Sequence, residues 1–321
     1  MQKTVDPKVE TFLKEGPIFC QPWWLEAVSP GKWDYVVIYR GEEVAAVLPY
    51  AYKIRLGRYR LIEMPPLTPY LGVYLRASSG KYVNRLGEEK YLMTELIDKL
   101  PPFAIFDQSF HPDISNWLPF YWKGYQQRTH YTYRIENTVD IKTVWNETRE
   151  NIRTDIRKAQ KKLKVIEYQD INRFLTIQRK TFERQSRTLP YSEDVYLKID
   201  KACEREGVRK ISFAIDDQNQ IHAAAYLVWD GGTVYYLMGG SDPQYRSSGA
   251  NSLLLWNAIQ FASEVGKCFD FEGSMVEPIE RFVRAFGARQ VPYFRIFRMN
   301  SPVVRLYRTV YRLIHTGPCH G

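Results

Sequence analysis

Two stretches of the chain carry the same apolar signature. WDYVVIY and VAAVLPYAY flank the polar step Arg40-Gly41-Glu42-Glu43, and KISFAI and IHAAAYLVW flank DDQNQ. Apolar runs rich in β-branched and aromatic residues on either side of a short polar turn read as β-hairpins. In each pair an apolar strand is answered by an Ala-rich returning strand. A chain with such hairpins in both halves must build sheets, and the helical patterns between them supply the layers that cover those sheets.

The intervening sequence alternates between the two kinds of element. In the first half a short N-terminal helix precedes the hairpin. The Pro-rich EMPPLTPYLG, a polar helix near 87–99, a strand FAIFDQ and a Trp/Tyr-rich strand ending at Arg134 follow it. The second half starts with a basic helix over about 143–162. Then come strand LKVIEY, helices near 170–186 and 192–206, the second hairpin, strand TVYYLMGG, a helix over 249–265, strand CFDFEG, a helix near 277–286 and strand QVPYFRIF. The expected fold class is α/β with mixed, mostly antiparallel sheets flanked by helices, in two domains, 1–135 and 136–321. Duplication of one domain explains the matching hairpins most economically. The match is one of pattern without sequence identity, so two unrelated α/β domains remain the alternative.

Length agrees with two domains, since 321 residues exceed the usual ~100–200 for one. With 45% apolar and 25% charged residues the chain has the composition of a folded protein, which argues against disorder and collagen-like repeats. No stretch is apolar enough for a membrane span, and MQKTVDPKVE does not read as a signal peptide. Cys20, Cys203, Cys268 and Cys319 are scattered, and His111, His130, His222, His315 and His320 have no ligand spacing. Neither a disulfide framework nor a metal site is expected, and a reducing cytoplasm fits.

The net charge of +9 is concentrated. Residues 149–164 carry seven basic and two acidic side chains, and residues 281–321 carry eight arginines and no acid. Such surfaces suit polyanions: a phosphate-bearing cofactor, a nucleic acid or an anionic lipid. Arg153, Arg157 and Lys161 recur every four residues on one face of the first stretch, although a solvated helix face is the plainer reading. In SPVVRLYRTVYRLIH, Val303, Leu306, Val310 and Ile314 recur at helical spacing beside a row formed by Arg305, Arg308 and Arg312. Docking onto the second domain is one role for this segment, and contact with an anionic membrane surface is the other.

Chemistry concentrates in the second half. Strand YYLMGG closes in glycines and leads through Ser241-Asp242-Pro243-Gln244-Tyr245-Arg246-Ser247-Ser248-Gly249-Ala250-Asn251 into a long helix. The free N–H groups and positive dipole end of a helix start suit a pyrophosphate or a developing oxyanion. Further on, an extended FDFEGS would set Asp270 and Glu272 on one face, where mutual repulsion raises one pKa and fits it for base work on an amine. Glu272 is the candidate base. The plainer alternative pairs these acids with Arg281 or Arg284. Tyr235 and Tyr236, in the strand before the loop, read by themselves as packing residues.

The order Arg246-x-x-Gly249 resembles the pyrophosphate loop R/Q-x-x-G-x-G/A of the GNAT acyltransferases, with Asn251 where Gly or Ala is usual. With ENIRTDIRKAQKK from Glu150, YYLMGGS, FDFEGS and RFVRAFGA from Arg281, the chain resembles the FemABX-like branch of that superfamily. That resemblance implies two GNAT-type domains, the first degenerate. It implies a donor that is acyl-CoA or aminoacyl-tRNA, held by Arg246, Ser248, Gly249, Ala250 and Asn251 in a gap where strands TVYYLMGG and CFDFEG splay, with Tyr235 or Tyr236 pointing into it as acid or orienting group. Arg153, Arg157 and Arg284 become candidate substrate contacts, and a peptidoglycan precursor or small-molecule amine the acceptor. The branch commonly reads F-K-x-x-F-G near its C-terminus; here Val283 stands at the Lys position and Arg284 is the cation. The expected function is N-acyl or aminoacyl transfer in the cytoplasm or at the inner membrane face. The alternative is a non-catalytic nucleic-acid-binding module using the basic helix 149–164, with Trp145 and Tyr168 for stacking.

Overall fold

The computed structural model describes residues 4–273 and 275–303. The basic segment SPVVRLYRTVYRLIH lies outside the described residues beyond Val303. The chain divides into two compact units, one holding the chain up to His130 together with the described residues from Tyr293, the other Tyr131–Pro292. The final strand therefore serves both: it leaves the second unit at Pro292 and continues in the first.

In the first unit, α1 (Pro7–Lys14) starts on Asp6, whose carboxylate accepts from the Lys8 N–H at 2.8 Å, and it buries Val9, Phe12 and Leu13. After α2 (Pro22–Val28), β1 (Trp33–Arg40) and β2 (Glu43–Arg55) form the expected antiparallel hairpin, Trp33 opposite Ala51 and Arg40 opposite Glu43. β3 (Tyr59–Glu63) returns beside β2, the short β4 (Tyr74–Leu75) pairs β2 as well, and α3 (Tyr82–Asp98) leads to β5 (Ile105–Ser109). α3 begins five residues before the sequence expectation, with its N-terminal turns exposed, and buries Leu92, Met93, Leu96 and Ile97. The short α4 (Leu118–Trp122) precedes β6 (Gln126–Ile135). Strand order in this unit is β1-β2-β3-β5-β12, where β12 is Arg289–Met299; β3 and β5 are parallel and the other neighbours antiparallel.

In the second unit the basic segment forms two helices, α5 (Ile141–Glu147) and α6 (Glu150–Gln160), instead of one. Thr148 breaks the helix in an extended conformation, its hydroxyl donating to the Val144 and Phe286 carbonyls, while the Arg149 N–H bonds the Ala285 carbonyl. Then follow β7 (Lys164–Glu167), α7 (Ile171–Glu183), α8 (Glu193–Arg205), β8 (Arg209–Ile215), β9 (Ile221–Trp229), β10 (Thr233–Ser241), α9 (Ala250–Glu264), β11 (Cys268–Asp270) and α10 (Glu277–Arg284). Strand order is β6-β11-β10-β9-β8-β7, with β10 and β11 parallel and the rest antiparallel.

Both faces of β9 are covered, which explains its unbroken apolar run. Ala223, Ala225 and Leu227 join the core that contains Ile152 and Ile156 of α6 and Leu253 and Ile259 of α9. On the other face Tyr226 meets Phe174 of α7, ring centroids 5.7 Å apart. Small side chains on β9 let α9 lie close to the sheet, so the alanines of IHAAAYLVW set the position of the helix whose start forms the site.

Candidate active site

The parallel pairing of β10 with β11 runs only from Thr233 opposite Cys268 to Tyr235 opposite Asp270. β11 stops there while β10 continues to Ser241, so beyond Tyr235 the two strands part. β10 also carries a bulge: Tyr236 faces Leu227 and Met238 faces Tyr226, leaving Leu237 as an extra residue in the ladder with β9. A bulge frees a backbone group and re-aims the side chains beside it. A further constraint acts at Gly239, where a Cβ would stand 1.6 Å from the Tyr236 hydroxyl. The tyrosine therefore lies over the glycine backbone, and burial pushes its pKa up to about 12. Tyr236 remains protonated at neutral pH. Tyr235, by contrast, is fully buried and donates to Asp230 at 2.9 Å.

FDFEGS is not extended beyond Asp270. Glu272 has φ 56° and Gly273 φ 64°, so the chain turns and the two carboxylates do not share a strand face as expected. Gly273 is obligatory, because a Cβ would meet the Tyr131 carbonyl oxygen at 2.2 Å. The turn separates the roles of the two acids. Asp270 is fully buried and committed: it pairs with Arg134 Nε at 2.8 Å, accepts from the Thr132 hydroxyl at 2.5 Å and accepts from the Glu272 N–H at 2.7 Å. Its partner is thus Arg134 of β6, while Arg281 and Arg284 pair within α10 with Glu277 and Glu280. Glu272 is held by its backbone and has no ion pair among the described residues. Its Oε1 is buried without a hydrogen-bond partner there. Burial, reinforced by the charge of Asp270, raises the Glu272 pKa well above the ordinary glutamate value.

The loop after β10 opens α9. Gly249 is its N-cap in the left-handed region (φ 76°), and the first turn carries no side-chain cap of the usual kind; the Ala250 N–H reaches only Ser248 Oγ, at 3.3 Å. A cleft of about 390 Å³ lies over this helix start, lined by Arg246, Ser247, Ser248, Gly249, Ala250 and Asn251 together with Asp155, His222, Tyr245 and Phe282. Arg246 is exposed and has no carboxylate partner among the described residues. Gly249 also answers to packing, since a Cβ there would meet the Asp155 carbonyl oxygen of α6 at 2.9 Å and Ala159 Cβ at 3.3 Å.

One member of the cleft was not singled out for it by sequence. The His222 imidazole is 7% exposed, stacks on Tyr245 with centroids 3.9 Å apart and planes 4° from parallel, and sets Nε2 3.1 Å from Asp216 Oδ2. Its Nδ1 is buried and has no hydrogen-bond partner among the described residues. Backbone bonds, the Gln220 N–H foremost, hold Asp216 below the usual carboxylate range. Spacing tests for metal ligands pass over this residue because its partner lies across a hairpin turn. Among the described residues no three His, Cys, Asp or Glu side chains are grouped to hold a metal ion.

The candidate substrate contacts do not converge. Arg153 and Arg157 both bond Glu150, the latter at 3.3 Å, and Arg157 lies over the Trp145 ring at 5.5 Å. Arg284 is bound to Glu280 at 2.5 Å. None of the three lines the cleft.

Residues 146–276 match the family described as an acetyltransferase (GNAT) domain. No curated protein matches the sequence. Among solved structures, FemX is similar over 95% of this chain and 99% of its own at 15% identity, with a TM-score of 0.70. L-PGS from Bacillus licheniformis covers 97% of this chain and 98% of its own at 15% identity, TM-score 0.57. A tandem GNAT protein from the clavulanic acid biosynthesis pathway covers 92% and 94% at 9% identity, TM-score 0.55. The matched segment contains the parted strands, the bulge, the α9 start and Glu272, so these features lie in the part of the chain that matches an acetyltransferase (GNAT) domain, within a fold similar to FemX and to a tandem GNAT protein.

Proposed function

We propose that the second unit transfers an acyl or aminoacyl group from acyl-CoA or aminoacyl-tRNA to an amine. The observation that carries this reading is the uncapped α9 start beneath an open cleft, following directly on the strand that parts from β11. Phosphate oxygens of either donor fit the N–H groups of Ala250, Asn251 and Ser252, with Arg246 and Ser248 alongside. The carbonyl then lies toward the gap, where the Leu237 peptide N–H is the candidate oxyanion donor.

In the transfer step the amine nitrogen attacks the donor carbonyl carbon, and the C–S bond of a thioester or the C–O bond of an aminoacyl ester breaks. Glu272, once ionised, accepts the proton leaving the amine. Its raised pKa brings it nearer the working pH of a base. Tyr236, protonated at neutral pH, supplies a proton to the departing thiolate or alkoxide. Asp270 positions Glu272 by accepting its N–H and takes no part in proton transfer.

The acceptor is an amine of a cell-envelope precursor or a small molecule, with the protein in the cytoplasm or at the inner membrane face. FemX and L-PGS having this fold is support by analogy alone. The test is incubation with acetyl-CoA or with aminoacyl-tRNA and an amine acceptor, followed by mass spectrometry. Transfer from one donor by the wild type, lost in Glu272→Gln, supports the reading; no transfer from either donor sinks it.

A further inference from the structure

The β2–β3 hairpin ends in a two-stranded finger. Beyond the Tyr52 N–H, which bonds the Lys32 carbonyl, and the Arg60 carbonyl, which accepts from the Ala104 N–H, residues 53–59 have only each other as backbone partners among the described residues. The finger reads Tyr52-Lys53-Ile54-Arg55-Leu56-Gly57-Arg58-Tyr59-Arg60. It holds four cations, and no acid occurs anywhere between Glu43 and Glu63. Lys53, Arg55 and Arg58 are exposed and none has a carboxylate partner among the described residues. Arg58 lies over the Tyr59 ring at 5.0 Å and Arg60 over Tyr52 at 5.3 Å, which holds these cations along the finger.

Between the cations stand two large aliphatic side chains turned to solvent, Ile54 at 47% and Leu56 at 64% exposure. Leu56 also occupies a turn position that works against it. The Arg58 N–H bonds the Arg55 carbonyl at 3.2 Å, and both central residues have positive φ, Leu56 at 49° and Gly57 at 70°. Such turns favour Asn, Asp or Gly at the first position, and leucine there is strained. An exposed, strained leucine at the tip contributes nothing to folding.

We propose that this finger docks on an anionic bilayer surface, its cations on lipid phosphates and Ile54 and Leu56 in the acyl boundary. Charge complementarity favours a polyanion, and the aliphatic tips choose the bilayer among polyanions. A nucleic acid offers those side chains neither stacking nor hydrogen bonds, whereas an interfacial contact gains from both apolar area and positive charge. The proposal rests on the first unit alone and is independent of the transfer reaction.

The experiment is co-sedimentation of the full chain with phosphatidylcholine vesicles, with and without phosphatidylglycerol. Binding to the anionic vesicles and its loss with added salt are expected. Ile54→Asp with Leu56→Asp should cut partitioning by about tenfold or more, and Arg55→Gln or Arg58→Gln by about fivefold each, from about 1 kcal/mol per charge. Fluorescence of the Leu56→Trp variant should be quenched by brominated lipid beyond the wild-type level. All four sites are exposed, so no melting temperature should fall, and Leu56→Asp, which suits the turn better, should if anything raise it. Absence of wild-type binding, undiminished partitioning of the double Asp variant, or no added quenching in Leu56→Trp would each overturn the proposal. So would cation loss that weakens tRNA binding while vesicle binding persists.

Discussion

The two units use one strand plan to different ends. The order β1-β2-β3-β5-β12 in the first and β8-β9-β10-β11-β6 in the second share the same directions, antiparallel except for one parallel pair, β3 with β5 and β10 with β11. In both, an Asp on the parallel partner pairs with an Arg on the next strand: Asp107 with Arg295 at 2.6 Å, and Asp270 with Arg134 at 2.8 Å. This correspondence supports duplication more strongly than the hairpin patterns do alone.

The difference lies where β3 and β10 end. β3 stays paired to its last residue, Glu63 opposite Asp107, and runs into the Pro-rich loop. β10 outlives its partner by six residues, bulges at Leu237 and closes in Gly239 and Gly240 before the uncapped α9. Near the start of α3 the cleft is lined by Glu88 and Glu89 alongside Arg76 and Arg85, with the Ser78 hydroxyl donating to Glu88 at 2.6 Å. A shared topology thus ends differently in its two copies: a strand that outlives its partner and leads to an uncapped helix start in one, a strand paired to its end and a Pro-rich loop in the other.

The largest effect expected is on rate. Glu272→Gln should lower turnover by about 10²- to 10⁴-fold with donor affinity retained. The same variant has a stability signature. Because the folded pKa of Glu272 is raised, its protonated form stabilises the fold in acid, and that stability is lost as pH rises from the ordinary glutamate value of 4.5 through the raised folded one. Wild-type melting should therefore fall across that interval relative to Glu272→Gln; parallel melting curves would remove the buried carboxyl from the account.

Next come the paired aspartates. Asp270→Asn strips the partner from a fully buried pair and should cost about 3–5 kcal/mol in urea unfolding. Asp107→Asn, whose Arg295 side chain is 42% exposed, should cost about 1 kcal/mol. Equal losses would mean that the two copies are held together alike. Arg246→Glu should weaken donor binding about tenfold or more without altering the melting temperature, since the residue is exposed and touches no core. Gly249→Val is a poorer probe, because a side chain there collides with Asp155 of α6.

Much of this was legible in the sequence, for identifiable reasons. Both hairpins, the α9 loop and the alternation of elements follow from apolar patterning and turn residues, which are local signals. The break at Thr148 depends on carbonyls of Val144 and Phe286, the latter 138 residues away, so a basic run with helical spacing reads as one helix. The turn at Glu272 has no local signature either: two acids alternating with two phenylalanines suggest a strand. What ends it is β11 stopping at Asp270 and the close approach of Tyr131 to Gly273. His222 belongs to the cleft because Tyr245 of the loop after β10 stacks on its ring, a contact between separate elements that no local spacing signals.

Backbone hydrogen exchange with and without acetyl-CoA, and with and without aminoacyl-tRNA, tests the division of labour most directly. One donor should slow exchange across Arg246 to Ser252 and leave the segment from Arg76 to Glu88 unchanged. Protection confined to the first unit, or none at the α9 start with either donor, would contradict the account.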